Sequence, residues 1–159
     1  MSNGFYFDTN ALFKYYHTEK GSLALRRLIA TASKPILVSS LTVVECFAVI
    51  MEYYRKGELK KKQVNDLYKR LDKDVGPTED TNRPFQMVVV PEGTFQLAKN
   101  ILLQHAYTFR VETTDALHLA IVKRLSRHSL VKMVTSDQSM QRVYERLSIP
   151  VYDPENEGT

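Results

Sequence analysis

This chain of 159 residues predicts an α/β fold, a central, mainly parallel twisted sheet flanked by helices. Three observations lead there. Short apolar runs of strand length recur along the sequence. Between them the apolar spacing changes to the three-and-four pattern of helices, and strands alternating with helices argue for a parallel sheet covered on both faces. Finally, the junctions between runs and helices carry acids, Asp8, Glu45, Asp115 and Asp137, and open α/β sheets build their ligand sites at the carboxyl ends of parallel strands.

Taken in order, Phe5–Phe7 is the first strand signal and runs into Asp8, with a helix to follow. Leu23, Leu25, Leu28 and Ile29 have helical spacing. Ile36–Ser39 is the second strand. Val43, Val44, Phe47, Ile50, Met51 and Tyr54 mark a helix ending near Gly57, and Leu59, Val64, Leu67 and Leu71 another. The stretch from Gly76-Pro77 to Pro84 is rich in breakers. Phe85–Val90 is the third strand, followed by a helix carrying Phe95, Ala98, Ile101, Leu102 and His105. Ala116, Leu119, Ala120, Val122 and Leu125 form the next helix, opened by Asp115. Val131–Thr135 is the fourth strand, Met140, Val143, Tyr144 and Leu147 a short helix, and Ile149–Tyr152 a weak last strand. There is no repeat and no low-complexity segment. We expect one domain over 1–153 and a disordered tail over 154–159.

The composition, 43% hydrophobic and 25% charged, is that of an ordinary globular protein large enough to bury a core. The first strand is expected within five residues of Met1, so no N-terminal signal segment is expected, and no apolar run approaches the ~20 residues that cross a bilayer. A single cysteine, Cys46, excludes an internal disulfide and suits a reducing cytoplasm. It lies in an apolar run and reads as packing. Net charge is +4 and the pI ≈ 9.1. Cations cluster at Arg26-Arg27, Lys60–Lys62, Lys69-Arg70, Lys123-Arg124 with Arg127, and Arg142 with Arg146. Such a surface around an acidic pocket suits a polyanionic substrate, although any one cluster is also an ordinary solvated helix face.

Each acid alone has a structural reading. Asp8 can cap a helix, Thr42-x-x-Glu45 can form a capping box, Asp115 suits a first turn, and Ser136-Asp137 is an ordinary cap pair. Capping does not require an acid at all four junctions on one edge of a sheet. Metal binding does, because like charges so close cannot all stay ionised without cations. Oxygen ligands without a histidine or cysteine cluster select hard ions such as Mg²⁺ or Mn²⁺, which activate water and stabilise charge in phosphodiester hydrolysis. None of His17, His105, His118 or His128 has ligand spacing, and His118 reads as core or supporting packing.

The segments Phe5-Tyr-Phe-Asp-Thr-Asn-Ala-Leu12, Ser39-Ser-Leu-Thr-Val-Val-Glu-Cys46, Thr114-Asp-Ala-Leu-His-Leu-Ala120 and Val134-Thr-Ser-Asp137 together resemble the PIN-domain family, and within it the VapC-like toxins of toxin–antitoxin pairs. The resemblance runs nearly the whole chain. It implies a PIN-like three-layer α/β/α fold, with Asp8, Glu45, Asp115 and Asp137 as the acidic quartet and Asn10 and Ser136 as supporting polar positions. It further implies RNA cleavage with magnesium or manganese, a homodimer and a small inhibitory antitoxin. The segment from Lys60 to Pro84 is longer than in many compact toxins.

Two other functions compete. A Mg-dependent phosphatase of the haloacid-dehalogenase type would need an aspartate at position 10, which is Asn. A catalytically silent PIN-like binding module for RNA or protein would typically lack one or more of the acids, all of which are present. Phe13, Tyr15, Tyr16, Val49, Met51, Tyr53 and Tyr54 exceed what one core-facing stripe needs and are expected at a dimer interface.

Overall fold

The structure, a computed structural model, describes residues 4–33 and 36–156. Six strands, β1 (Gly4–Phe7), β2 (Ile36–Ser39), β3 (Val75–Pro77), β4 (Phe85–Val88), β5 (Val131–Val134) and β6 (Val151–Tyr152), form one sheet in the order β3-β4-β2-β1-β5-β6. Every pairing is parallel. Phe7 lies opposite Val134 and Ser39 opposite Val88, so the carboxyl ends of the central strands share one edge. The chain leaves β1 toward β2 and later returns to its other side at β5. That reversal opens a crevice above β1, the usual ligand position in open α/β sheets.

Among the described residues seven helices cover the sheet. They are α1 (Thr9–Tyr16), α2 (Ser22–Thr31), α3 (Ser40–Arg55), α4 (Lys61–Asp74), α5 (Thr94–His105), α6 (Thr113–Leu125) and α7 (Gln141–Arg146), the last entered through a 3₁₀ turn at Gln138–Met140. Successive strand residues point to opposite faces and divide the core in two. Phe7, Ile36, Val38, Phe85 and Val134 pack with Leu12, Phe13, Leu25, Cys46, Ile50 and Leu71 of α1–α4. Tyr6, Val131 and Met133 pack with Ile101, Leu119, Val122 and Val143 of α5–α7. This is the expected three-layer α/β/α arrangement. No helix among the described residues is long and apolar enough to cross a membrane.

Three boundaries differ from expectation. Breaker-rich Val75–Pro77 is an edge strand; Pro77 lacks an N–H, and an edge position tolerates that. The β4 strand stops at Val88, leaving Val89 88% exposed. The tail is not free through Asn156: Pro154 is buried, and Glu155 accepts from the buried Lys14 Nζ of α1 at 2.7 Å, while residues 157–159 lie outside the described residues. The approach is close. A Cβ on Gly21, which has φ +89°, would meet Pro154 C at 3.2 Å.

Lys14 is held by two carboxylates, Glu155 and Glu19 at 3.2 Å, with only 5% of its side chain exposed. Removing one partner from a buried charge destabilises a fold, but Glu19 remains and Glu155 is partly exposed. Glu155→Gln should therefore reduce stability by about 1–2 kcal/mol, read as a fall of roughly 3–6 °C in Tm. Lys20, 3.9 Å away and mostly exposed, should change nothing on conversion to Ala. An unchanged Tm for Glu155→Gln would mean that Glu19 alone holds Lys14.

Candidate active site

At the carboxyl edge, local capping chemistry aims the acids. Asp8 follows β1 and caps α1, its Oδ1 accepting from Ala11 N at 2.8 Å. Asp115 is in the first turn of α6, where its Oδ2 accepts from Glu112 N at 2.9 Å. Asp137 follows β5 and caps the 3₁₀ turn through Ser139 N at 3.0 Å. In each case one oxygen anchors the side chain on the backbone and fixes its direction. Capping and convergence are therefore the same geometry.

Glu45 is different. The expected Thr42–Glu45 capping box does not form; α3 begins three residues earlier, capped by Ser39 reciprocally with Thr42. Glu45 is thus left in the second turn with no capping duty. Its Oε1 lies 2.7 Å from His118 Nε2 of α6.

All four acids line one open cleft, together with Thr9, Asn10, Thr114 and His118. The cleft encloses about 360 Å³, several times the ~30 Å³ occupied by one water. Ser136 is not among the lining residues. Its Oγ is buried without a hydrogen-bond partner among the described residues, as is the Oγ1 of Thr9. Asn10 lines the cleft and is exposed.

The electrostatics follow from burial. Asp8 is buried, and loss of solvent pushes its carboxyl up to about 6; the charge on Asp137 adds to this, while the Thr135 hydroxyl, Ala11 N–H and His118 oppose it. Burial also raises the Asp115 carboxyl, against the hydrogen bond from Glu112 N–H. Such a site resists uncompensated negative charge. The cleft offers oxygen donors, since His118 Nε2 is engaged with Glu45, and this donor set fits a hard divalent cation. Among the described residues no three His, Cys, Asp or Glu side chains already surround a single point. The carboxylates line an open cleft, with no preformed cage.

Two contributors had little signal in the sequence. Tyr6 sits in β1 between Phe5 and Phe7 and looked like core; its buried hydroxyl contacts Ser39, Thr42 and His118. Thr135 is 1% exposed, hydrogen-bonds to Asp8 and accepts from Asp137 N at 3.1 Å, tying two acids together. The buried hydroxyls were the available clue, because a polar group inside a sheet needs a partner. Cys46 is fully buried and its thiol is pushed up to about 12, consistent with packing.

The aromatic surplus near α1 and α3 has another explanation. Phe13 and Tyr16 are buried, and Tyr15, Val49 and Tyr53 pack on the same core, leaving Met51 and Tyr54 exposed. The stronger exposed apolar feature lies elsewhere: Val44 and Phe95, 66% and 75% exposed, line a groove with Leu41, Val90, Leu117 and Ile121. Some cations are likewise engaged structurally. Lys123 donates to the Leu147 carbonyl at 2.8 Å, Arg124 to that of Glu92, and Arg146 lies over the Phe109 ring.

Residues 5–146 match a family model described as PIN domain. No curated protein sequence matches. Among solved structures, the chain is similar to FitAcB from Neisseria gonorrhoeae, with 16% identity, a TM-score of 0.68, and 96% of this chain and 99% of that one covered. It is similar to VapBC2 from Rickettsia felis, described as bound to a DNA fragment from their promoter, with 10% identity, a TM-score of 0.65, and 94% and 98% covered. A third is VapC20 from Mycobacterium tuberculosis, described as a Sarcin-Ricin loop cleaving toxin, with 14% identity, a TM-score of 0.55, and 77% and 83% covered. At these identities the likeness is one of fold.

Proposed function

From the premise that the chain belongs to the PIN domain family, we propose that it is a metal-dependent endoribonuclease, the toxin of a toxin–antitoxin pair. The observation that carries this reading is the shared cleft of Asp8, Glu45, Asp115 and Asp137 at the carboxyl edge of the sheet. These acids are the proposed holders of Mg²⁺ or Mn²⁺. Held by these residues, such an ion would supply charge neutralisation at the scissile phosphate and a more acidic water for attack. The chain's own part is positional. Ala11 N–H and Glu112 N–H fix Asp8 and Asp115, and Thr135 and Ser139 fix Asp137. Asn10 and Ser136 are proposed as supporting polar groups, Asn10 from the cleft wall.

The test is cleavage of RNA by the purified chain with Mg²⁺ or Mn²⁺, its loss in EDTA and its return on adding metal. Cleavage that persists in EDTA would refute the metal-dependent reading. Binding of RNA without cleavage under all conditions would favour the silent module. Asn10 stands against the phosphatase, which needs an acid–base aspartate there.

An antitoxin partner is proposed by analogy with VapBC2 and with a structure described as a toxin–antitoxin complex from Klebsiella pneumoniae, 14% identical with a TM-score of 0.58. An arginine carried into the acidic cleft would inhibit by bidentate pairing with carboxylates. We also propose a homodimer with the exposed Val44 and Phe95, beside the apolar groove, at its contact face, because pairing with a second copy would remove that apolar surface from water. Light scattering should report a dimer at micromolar concentration, and Val44→Asp with Phe95→Glu should convert it to a monomer. A wild-type monomer would contradict this assignment.

A further inference from the structure

Beneath the cleft, four side chains from four elements, β2, β1, α6 and α3, touch in sequence. Ser39 Oγ is 2.9 Å from Tyr6 Oη, Tyr6 Oη is 2.7 Å from His118 Nδ1, and His118 Nε2 is 2.7 Å from Glu45 Oε1. Tyr6 and Ser39 are completely buried and His118 is 5% exposed. In such a place every polar hydrogen needs an acceptor, and each hydroxyl has one to give.

The protons can be placed by elimination, starting from groups that can only accept or only donate. The Phe7 carbonyl accepts, so Thr42 Oγ1, 3.3 Å away, donates to it. Thr42 Oγ1 in turn accepts from Ser39 N, and Ser39 Oγ accepts from Thr42 N. With the Thr42 proton given to Phe7, the Ser39 hydroxyl proton has two neighbours, Tyr6 Oη at 2.9 Å and Thr42 Oγ1 at 3.2 Å, and goes to the nearer, Tyr6. An ionised Glu45 only accepts, so Nε2 carries a hydrogen toward it. When the imidazole bears one proton, Nδ1 is therefore an acceptor, and the Tyr6 hydroxyl donates to it. Along this line of side chains the donors point one way, from Ser39 through Tyr6 and His118 to Glu45.

We propose that Ser39, Tyr6 and His118 form a one-directional hydrogen-bond relay that fixes the Glu45 carboxylate, with His118 as a positioning residue. Among the described residues Glu45 has no backbone anchor like those of Asp8, Asp115 and Asp137, and the relay supplies the equivalent. One carboxylate oxygen is held by Nε2–H and the other is left for the cleft. Outer-shell donors of this kind commonly govern metal affinity by 10–100-fold. The consequence for metal rests on the nuclease reading; the relay itself does not.

The first test is ¹⁵N NMR of the metal-free full chain. The singly protonated His118 ring should carry its hydrogen on Nε2 with Nδ1 shifted as a hydrogen-bonded acceptor. Tyr6→Phe should leave the hydrogen on Nε2, where Glu45 still accepts it, and move the Nδ1 resonance to that of an unbonded acceptor. A hydrogen on Nδ1 in the wild type would overturn the relay. The second test is calorimetric titration with Mn²⁺. His118→Phe should weaken binding by about 10–100-fold, and His118→Gln, whose amide N–H can still reach Glu45, should recover most of it at a comparable Tm. Equal Mn²⁺ affinity in wild type and His118→Phe would overturn the positioning role. If His118→Phe does not fold, the wild-type tautomer and the Nδ1 shift in Tyr6→Phe decide, an Nδ1 resonance unmoved by Tyr6→Phe overturning the relay. A wild type with the Nε2–H tautomer and bound Mn²⁺ but no RNA cleavage would leave the relay supported and refute the nuclease reading.

Discussion

Asp8→Asn should abolish RNA cleavage, lowering the rate by at least about 10³-fold, while the chain remains folded. The expectation follows from position. Asp8 is the most buried of the four acids and stands at the end of the central strand β1, sharing the cleft with Glu45, Asp115 and Asp137. Asparagine keeps the shape, and its carbonyl oxygen still accepts from Ala11 N–H, so the cap on α1 survives. What is lost is one negative charge in a site of low dielectric, where a charge interacts strongly with a divalent ion and with the charge that develops on a phosphate. Rates measured with saturating Mn²⁺, alongside circular dichroism, check this. Near-wild-type cleavage by Asp8→Asn would remove Asp8 from the chemistry.

The second large effect is on stability. Because burial raises the Asp8 carboxyl from an ordinary 3.8 to about 6, folding favours its protonated form. The resulting stability is fully present below about pH 3.8 and is lost as pH rises through 6. By linkage the loss is about 3 kcal/mol, and Asp115 shifts in the same direction. Other carboxylates also titrate in that range, so the informative quantity is the difference between wild type and Asp8→Asn. In EDTA the substitution should raise Tm by roughly 5–10 °C at pH 7 and by little at pH 4. Millimolar Mn²⁺ should stabilise the wild type at pH 7 and have little effect on Asp8→Asn. A substitution that lowers Tm equally at both pH values would show Asp8 to be a structural cap and nothing more.

The layers and the four junctions were legible because they follow from periodicity and from acids that recur where strands meet helices. Val75–Pro77 was not, since a three-residue edge strand has no room to show alternation and contains two breakers. The α3 start was misjudged for a related reason: Ser39, Ser40 and Thr42 are all competent caps, and the helix takes Ser39, the residue on which β2 ends. Convergence of the acids could be inferred from their positions, whereas the Tyr6–His118–Glu45 contacts span up to 112 residues of separation and leave no local trace. The aromatic residues of α1 showed the converse error. Their number suggested an interface, but a thin sheet between two helical layers needs large side chains such as Phe13 and Tyr16 to fill its core.

The central claim is that Asp8, Glu45, Asp115 and Asp137 together hold a divalent cation. A crystal of the full chain soaked in Mn²⁺, with anomalous diffraction recorded at the manganese edge, tests it most directly. The expected result is an anomalous peak in the cleft, within about 2.0–2.5 Å of oxygens from at least two of the four carboxylates, and absent in Asp8→Asn. A cleft without a peak at millimolar Mn²⁺, or a peak bound only at other surface acids, would contradict it.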